Sequence, residues 1–472
     1  MADPAATQAE PAAPSDAPAA TVVTAAPPPR ALSTMSWVST TYFAEGFPYM
    51  IVRWLASVYA TDIGLPETVI GSLNLLGIPW NIRPFWAPLV DWIGTKRGWL
   101  VKTQLFITLV LFLLAALVGI GPAGTPASAH GTDIPRVTWA ALSAVRDPRT
   151  GLSHLTVVAM ILACLVVLAI AAATNDVTID GFYIEGLPDR RDQAAYSGLR
   201  VLAYRIAVLF AKTALIGFSY WAYGFGLAAV VMGVLTAYHA IALPRFKSDV
   251  EQVGQRKPFL GHLWEAIRAF LDQPRIVVVL GFIATYKIGD SLLFSLNSTF
   301  LLRELHVTRP QLGWLAGVVG TICAILGTIS GAWLIRTYGL RRTIWPLTLA
   351  MNLTIWAYVW LAFARPDPTT THGFGWITFI HGYEQLAGGL GDAAFTVFLL
   401  YTCKPQFKAA HYAIGAAMMS FIGNVVGGTS GWLVLHTGYT MLYVLAFAAS
   451  IPGMALLVFL PIEHRAGLSP AR

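Results

Sequence analysis

Charge is what this chain has least of. Asp, Glu, Lys and Arg together make up 12% of its residues, against about 25% in a soluble domain. With 56% hydrophobic residues, 24 Phe and 16 Trp, that shortage excludes a soluble globular protein and leaves an integral membrane protein. Cysteine is scarce as well. Cys164, Cys323 and Cys403 stand far apart, which excludes a disulfide framework and gives no metal-ligand spacing. Histidines such as His239, His381 and His411 are scattered without an HExxH pattern, so no catalytic zinc and no enzyme is expected. Met351, Met418 and Met419 form no ladder of soft ligands. Neither a metal nor another cofactor is expected. The N-terminus has no basic start and apolar run of the signal-peptide kind. Its stretch "PAAPSDAPAATVVTAAPPPR" cannot bury a core, and residues 1–35 are expected to be a disordered cytosolic tail.

What is present is long apolar runs. A bilayer core takes about 20 apolar residues per helix. By that ruler there are twelve spans, roughly 36–60, 67–91, 100–121, 153–186, 195–218, 221–243, 275–301, 310–335, 343–364, 374–402, 410–435 and 438–461. The expected organisation is an all-α membrane protein with a six-helix half over 36–243 and another over 275–461. A cytosolic linker covers 244–274, and a tail covers 462–472. In the linker Phe259, Leu260, Leu263, Trp264, Ile267 and Leu271 recur at helical spacing, which predicts an interfacial helix. If the N-terminus is inside, nineteen Lys and Arg fall in cytoplasmic segments and six in outer ones, Arg136, Arg146, Arg149, Arg303, Arg309 and Arg365. This bias predicts that both termini are cytosolic. It also accounts for the formal charge of +7 without a nucleic-acid partner.

The few charges inside spans are the informative ones. "ATNDVTIDGFYIEG" (173–186) closes a span that carries no charge from Leu155 to Ala172. Span 1 holds Glu45 and Arg53, span 2 Arg83, span 4 Asp176 and Asp180, and span 5 Arg200, Arg205 and Lys212. Span 7 holds Lys287 and Asp290, and span 10 holds Glu384 and Asp392. A charge at a helix centre costs about 2.5–3.5 kcal/mol on the insertion scale, so such groups face the bundle interior or a water-filled cavity. At about 1.5 Å per residue, Glu45, Lys287, Asp290 and Glu384 come near the midplane. Counting outward from the hairpin near residue 190 sets Asp180 level with Arg200, and Asp176 level with Arg205. Two readings of these groups stand side by side, structural ion pairs joining helices and a relay whose pairings switch. Lys287 can also pair with Asp290 one turn along. Gly388, Gly389 and Gly391 serve either close helix packing or a bend beyond Glu384.

"APLVDWIGTKR" (87–97) and "GAWLIRTYGLRR" (331–342) echo each other six spans apart. They resemble the loop signature of the major facilitator superfamily. The resemblance implies two six-helix halves, spans 1, 4, 7 and 10 around a central cavity, and Asp91 and Arg97 latching helix ends. A closer likeness lies in "YKIGDSLLFSLNSTFLLRELHVTRPQLGWLAG" (286–317), "ATNDVTIDGFYIEGLP" (173–188), "LGIPWNIRPFWAPLVD" (76–91) and "YEQLAGGLGDAAFTVFLLYTC" (383–403). These resemble AmpG-type muropeptide permeases over about residues 36–461. The resemblance implies an inner-membrane importer of a small solute such as an anhydromuropeptide, coupled to protons and acting as a monomer in the bilayer. Acetyl-CoA and siderophore transporters belong to the same broader group. Glu45 and Arg53 stand where those permeases are largely uncharged, and "DGFY" follows where they carry Asp-Ala-Tyr. The chain therefore reads as a divergent branch. A sugar, peptide, siderophore or CoA-type importer stays open, as does a non-transporting sensor on the same fold.

Overall fold

A computed structural model describes residues 34–124, 134–246 and 259–461. The tails expected over 1–35 and 462–472 lie outside the described residues, apart from the first two residues of the first helix. So does the middle of the linker. Among the described residues the regular structure is helical, apart from a single bridge between Arg146 and Ser153.

Among the described residues twelve long helical runs follow one another, besides the short helix Trp139–Ala144 and the linker helix Phe259–Leu271. Helix α1 covers 34–62 as Thr34–Met50, a wide π-type turn Ile51–Leu55, and Ala56–Asp62. Helix α2 covers 67–92 and is the most irregular. It passes through 3-10 turns at Leu73–Gly77 and Arg83–Phe85, where Pro79 and Pro84 supply no backbone N–H. Then come α3 Lys96–Ile120, α4 His154–Gly186, α5 Arg190–Thr213 and α6 Trp221–Ala242. The second half holds α7 Ile276–Arg303, α8 Arg309–Tyr338, α9 Leu340–Ala364 and α10 Thr371–Thr402. A last run, Lys408–Leu456, is broken at Gly438, whose φ of 76° is open to glycine and strained for other residues. It gives α11 over 408–437 and α12 over 439–459. Eight runs, with Ala410–Phe459 counted whole, are long and apolar enough to cross a membrane. The break at Gly438, together with α1, α2 and α10, brings the spans to twelve.

Local sequence sets the helix starts. Thr95, Ser153, Asp189 and Thr370 each sit just before a helix and accept a hydrogen bond from its first turn, satisfying an otherwise orphaned N–H. Thr308 and Gln311 form a reciprocal capping box at the start of α8. The cap at Asp189 begins α5 five residues ahead of the expected 195. The helix also ends early, at Thr213 and not near 218, because 214–220 turn sharply into α6. There Gly224 lies against the Leu215 carbonyl, and a Cβ would come within 2.3 Å of it.

Small residues bring helices together. Gly327 on α8 meets the backbone of Leu386 on α10, and Gly389 meets Ala324 and Thr328 in return. Gly391 packs on the Met351 side chain. Of the two readings for the α10 glycines, Gly389 and Gly391 serve packing, and α10 runs on as one helix. In the linker, Phe259–Leu271 is helical. Ala266 and Phe270 are buried, with the Phe270 ring against His411 of α11, while Trp264 and Leu271 stay exposed.

Candidate functional site

The first and last described residues, Thr34 and Pro461, lie toward one face of the helix bundle, called here the tail face; the other is the far face. The charged side chains of the spans gather into two groups around the helices α1, α4, α7 and α10.

In the first half, Arg83 of α2 forms an ion pair with Asp176 of α4. Asp180, one turn along, accepts from the Tyr42 hydroxyl at 2.9 Å and from Arg200 of α5 at 3.0 Å. The Arg200 guanidinium also lies over the rings of Tyr42 and Tyr183, 4.3 and 4.5 Å from their centroids, where the ring faces attract a cation. The expected Asp180–Arg200 pair is therefore formed, but the expected Asp176–Arg205 pair is not. The two 3-10 turns of α2 carry Arg83 to α4, and its guanidinium takes the place that Arg205 was expected to fill. Arg205 is half-buried on α5 with no ion pair among the described residues. Glu45 is next to this group, with its Oε2 buried and without a hydrogen bond. Asn175 donates to the Ala44 carbonyl at 3.0 Å and joins α4 to α1.

In the second half, Lys287 of α7 pairs with Asp290 at 3.2 Å, as its spacing suggested, and also with Asp392 of α10. Lys287 sits at a break between Ile276–Thr285 and Ile288–Ser295. Glu384 is 2% exposed and accepts from the Gln385 side chain at 3.2 Å. No cation comes within 4 Å of Glu384 or Glu45 among the described residues. Near Glu384 a buried chain runs from Asn297 through the Tyr358 hydroxyl, at 3.1 Å, to His381 Nδ1, at 2.9 Å. Lys212 reaches from α5 across to the Ala316 carbonyl of α8 at 3.3 Å, beside the Trp54 ring. Arg53, on the π-type turn of α1, donates to the Asn74 carbonyl at 2.7 Å and to Asn424 Oδ1 of α11 at 2.8 Å. Arg53 and Lys212 thus bridge the halves through neutral partners.

The loop residues fare differently. The Asp91 side chain lies outside the described residues. Arg97 donates to the carbonyls of Leu243, at 3.1 Å, and Ala240. It closes the C-terminal end of α6, where a helix presents its negative pole.

A third group was not singled out in the sequence. On the far face Arg303 of α7 is buried and donates to Glu67 of α2 at 3.1 Å. It also donates to the carbonyls of Thr61 at 2.8 Å and Leu65 at 2.9 Å. Arg309 and Asp62, both buried, face each other at 3.9 Å, and Trp221 donates to Asp62 at 2.6 Å. Arg136 reaches Glu67 at 2.8 Å and Glu304 at 3.7 Å, and Arg365 reaches Glu304 at 2.8 Å. Beneath them the hydroxyls of Thr61 and Thr299 are 2.9 Å apart. Gly71 of α2 abuts the Gly431 backbone of α11, and a Cβ would come within 2.7 Å of its nitrogen. The far face is closed by buried charge and by backbone contact. Toward the tail face the side chains of Asp180 and Asp392 are 38% and 54% exposed.

This arrangement is that of a membrane transporter with the major facilitator fold: twelve spans, charged groups on the helices around the centre, and one face shut. Solved structures agree. The nucleoside transporter NupG superposes with a TM-score of 0.63 at 15% identity, covering 91% of this chain and 98% of that one. A D-xylose–proton symporter gives 0.64 at 12%, covering 90% of this chain and 97% of that one. The inward-open form of the xylose transporter XylE from E. coli gives 0.60 at 10%, covering 92% and 97%.

In sequence the chain is similar to the anhydromuropeptide permease of Escherichia coli, 25% identical over 426 residues that cover 88% of this chain and 77% of that one. A Rickettsia felis chain carrying the transporter name AmpG 4 is 22% identical over 433 residues, 88% and 94% of the two chains. No family model matches. These relatives are permeases and transporters, not enzymes, and the chain is a multi-pass inner-membrane protein with a small-molecule substrate.

Proposed function

We propose that this secondary transporter of small organic solutes imports an anhydromuropeptide-like, carboxylate-bearing compound into the cytosol and couples the movement to protons. The observation that carries the reading is the division of the buried charges. Three acids of the first half's and second half's pairs, Asp176, Asp180 and Asp290, are held by cations, as is Asp392. Glu45 and Glu384, one in each half, are not. The cations Arg53 and Lys212 rest on neutral oxygens. A carboxylate substrate would find Arg53 and Lys212 free of competing acids. An acid without a cation in a low-dielectric site is the group suited to take a proton.

In this reading the halves 36–243 and 275–461 rock about the site as one monomer, with 244–274 as the cytosolic linker between them and both termini in the cytosol. The Arg303–Glu67 group is the outer gate, shut in this conformation, and Asp91 and Arg97 belong to the cytoplasmic latch. Uptake by proteoliposomes of labelled anhydromuropeptide, free sugar, peptide, nucleoside and siderophore tests the substrate. Accumulation of the muropeptide that is driven by an inward proton gradient and collapsed by a protonophore is the expected result. Accumulation of another class alone, or none of any class, overturns it.

A further inference from the structure

Outside the transport path, α3 and α4 part to leave a cavity of about 970 Å³ toward the tail face. Its mouth is formed by Ile93, Gly94, Thr95, Gly98, Trp99 and Lys102, its depth by Thr103, Phe106, Val167, Ile170, Ala171 and Thr174. The two ends differ in chemistry. At about 1.5 Å per residue along a helix, Lys102 lies roughly 9 Å and Phe106 roughly 15 Å from the start of α3. The deeper wall is aliphatic and aromatic, and Phe106, Val167 and Ile170 are 48%, 41% and 48% exposed. The mouth carries Lys102, exposed, with no ion pair or hydrogen bond among the described residues, and none of the lining residues is acidic. The neighbouring cation Arg97 is taken up by the end of α6, so Lys102 is the charge left for a ligand.

We propose that this groove binds one anionic phospholipid of the tail-face leaflet, its phosphate at Lys102 and an acyl chain along Phe106, Val167 and Ile170. Charge complementarity selects the headgroup, because an ammonium at the mouth of a groove without acids attracts an anion and has nothing to offer a zwitterion's own cation. Basic pockets between spans are the form such headgroup sites take. The apolar depth selects a lipid over a free phosphate, since each methylene of an acyl chain buried there adds to its binding.

The test uses the full chain purified in detergent, with thermal unfolding and native mass spectrometry as readouts. Phosphatidylglycerol should raise Tm and give a one-lipid adduct that survives activation. Phosphatidylcholine should give the smaller rise of an unselective annular lipid, and glycerol phosphate none. Lys102→Gln should remove most of the difference between the two lipids, and Lys102→Arg should keep it. Ala171→Phe, which fills the groove without touching the charge, should abolish the adduct as well. Equal effects of the two lipids, a full effect of glycerol phosphate, or an unchanged difference in Lys102→Gln would each overturn the proposal.

Discussion

Asp176→Asn leaves Arg83 facing a neutral amide, and Asp180→Asn does the same to Arg200. The two sites differ in exposure: the Asp176 side chain is 11% exposed and that of Asp180 is 38%. Breaking a buried pair on one side costs about 3–5 kcal/mol, and a solvent-screened pair costs about 0–1. Asp176→Asn should therefore lower thermal stability well beyond Asp180→Asn, and Arg205→Gln should lower it little. A charge swap at 176 and 83 should recover part of the loss in a double-mutant cycle. A larger loss at Arg205 than at Arg83 would restore the pairing expected from helix counting.

Outside the membrane, Asp147 accepts from the Thr150 N–H at 2.8 Å, the Thr150 hydroxyl at 2.9 Å and the Arg149 N–H at 3.1 Å. The Thr150 backbone bond comes first in holding its carboxyl below the ordinary value. A depressed folded value stabilises the turn above the ordinary pKa of about 3.9 and loses that contribution as pH falls through the folded value. Amide exchange at 147–151 should stay slow at neutral pH relative to an Asp147→Ala variant. The difference should vanish in acid.

At the scale of the element, the apolar runs were legible because length and composition alone decide what spans a bilayer. Helix α4 was expected over 153–186 and is His154–Gly186. The Arg83–Asp176 contact was not legible, because it depends on how far α2 unwinds at its 3-10 turns. Two prolines mark that stretch, but they do not fix the direction in which Arg83 points. The far-face group was missed for another reason. Arg136, Arg303, Arg309 and Arg365 were counted as outer-loop cations, and their acids Asp62, Glu67 and Glu304 stand at span ends where charge costs little. The signal available was the pairing of opposite signs at one level of the bundle.

That group predicts a gate. Arg303→Gln removes a buried cation that joins α7 to Glu67, Thr61 and Leu65, and so weakens the closed far face. Thr299, 0% exposed beneath it, reports the opening. In a background without Cys164, Cys323 and Cys403, Thr299→Cys should react slowly with an impermeant thiol reagent applied from outside. Adding Arg303→Gln should speed the reaction roughly tenfold or more, the equivalent of about 1.4 kcal/mol in population. An unchanged rate would reduce Arg303 to a packing role.

For the whole molecule, orientation comes first. The nineteen-to-six bias of basic residues is the ground for proposing that the far face is outside. A cysteine at Ala140 should be labelled by an impermeant reagent in intact spheroplasts, and one at Lys404 should be protected. The reverse pattern would invert the direction of transport. Coupling is the remaining question, and the two halves narrow it. Asp290 shares Lys287 with Asp392, so its charge is already balanced in this conformation. Glu384 is buried, Glu45 has its Oε2 buried, and neither has such a partner, so each is a carboxyl without a balancing cation in this conformation. One elementary charge moved inward gains about 2.3 kcal/mol per 100 mV, which supports roughly fiftyfold accumulation of a neutral solute carried with one proton. Glu45→Gln or Glu384→Gln should therefore keep substrate binding and exchange, abolish uphill uptake, and flatten the pH dependence of exchange. Asp290→Asn should instead lower the amount of folded protein, because it disturbs the Lys287 pair. If both glutamine variants still accumulate substrate and release it on addition of a protonophore, neither glutamate carries the proton. Asp176 and Asp180, paired with Arg83 and Arg200, then become the carriers to test.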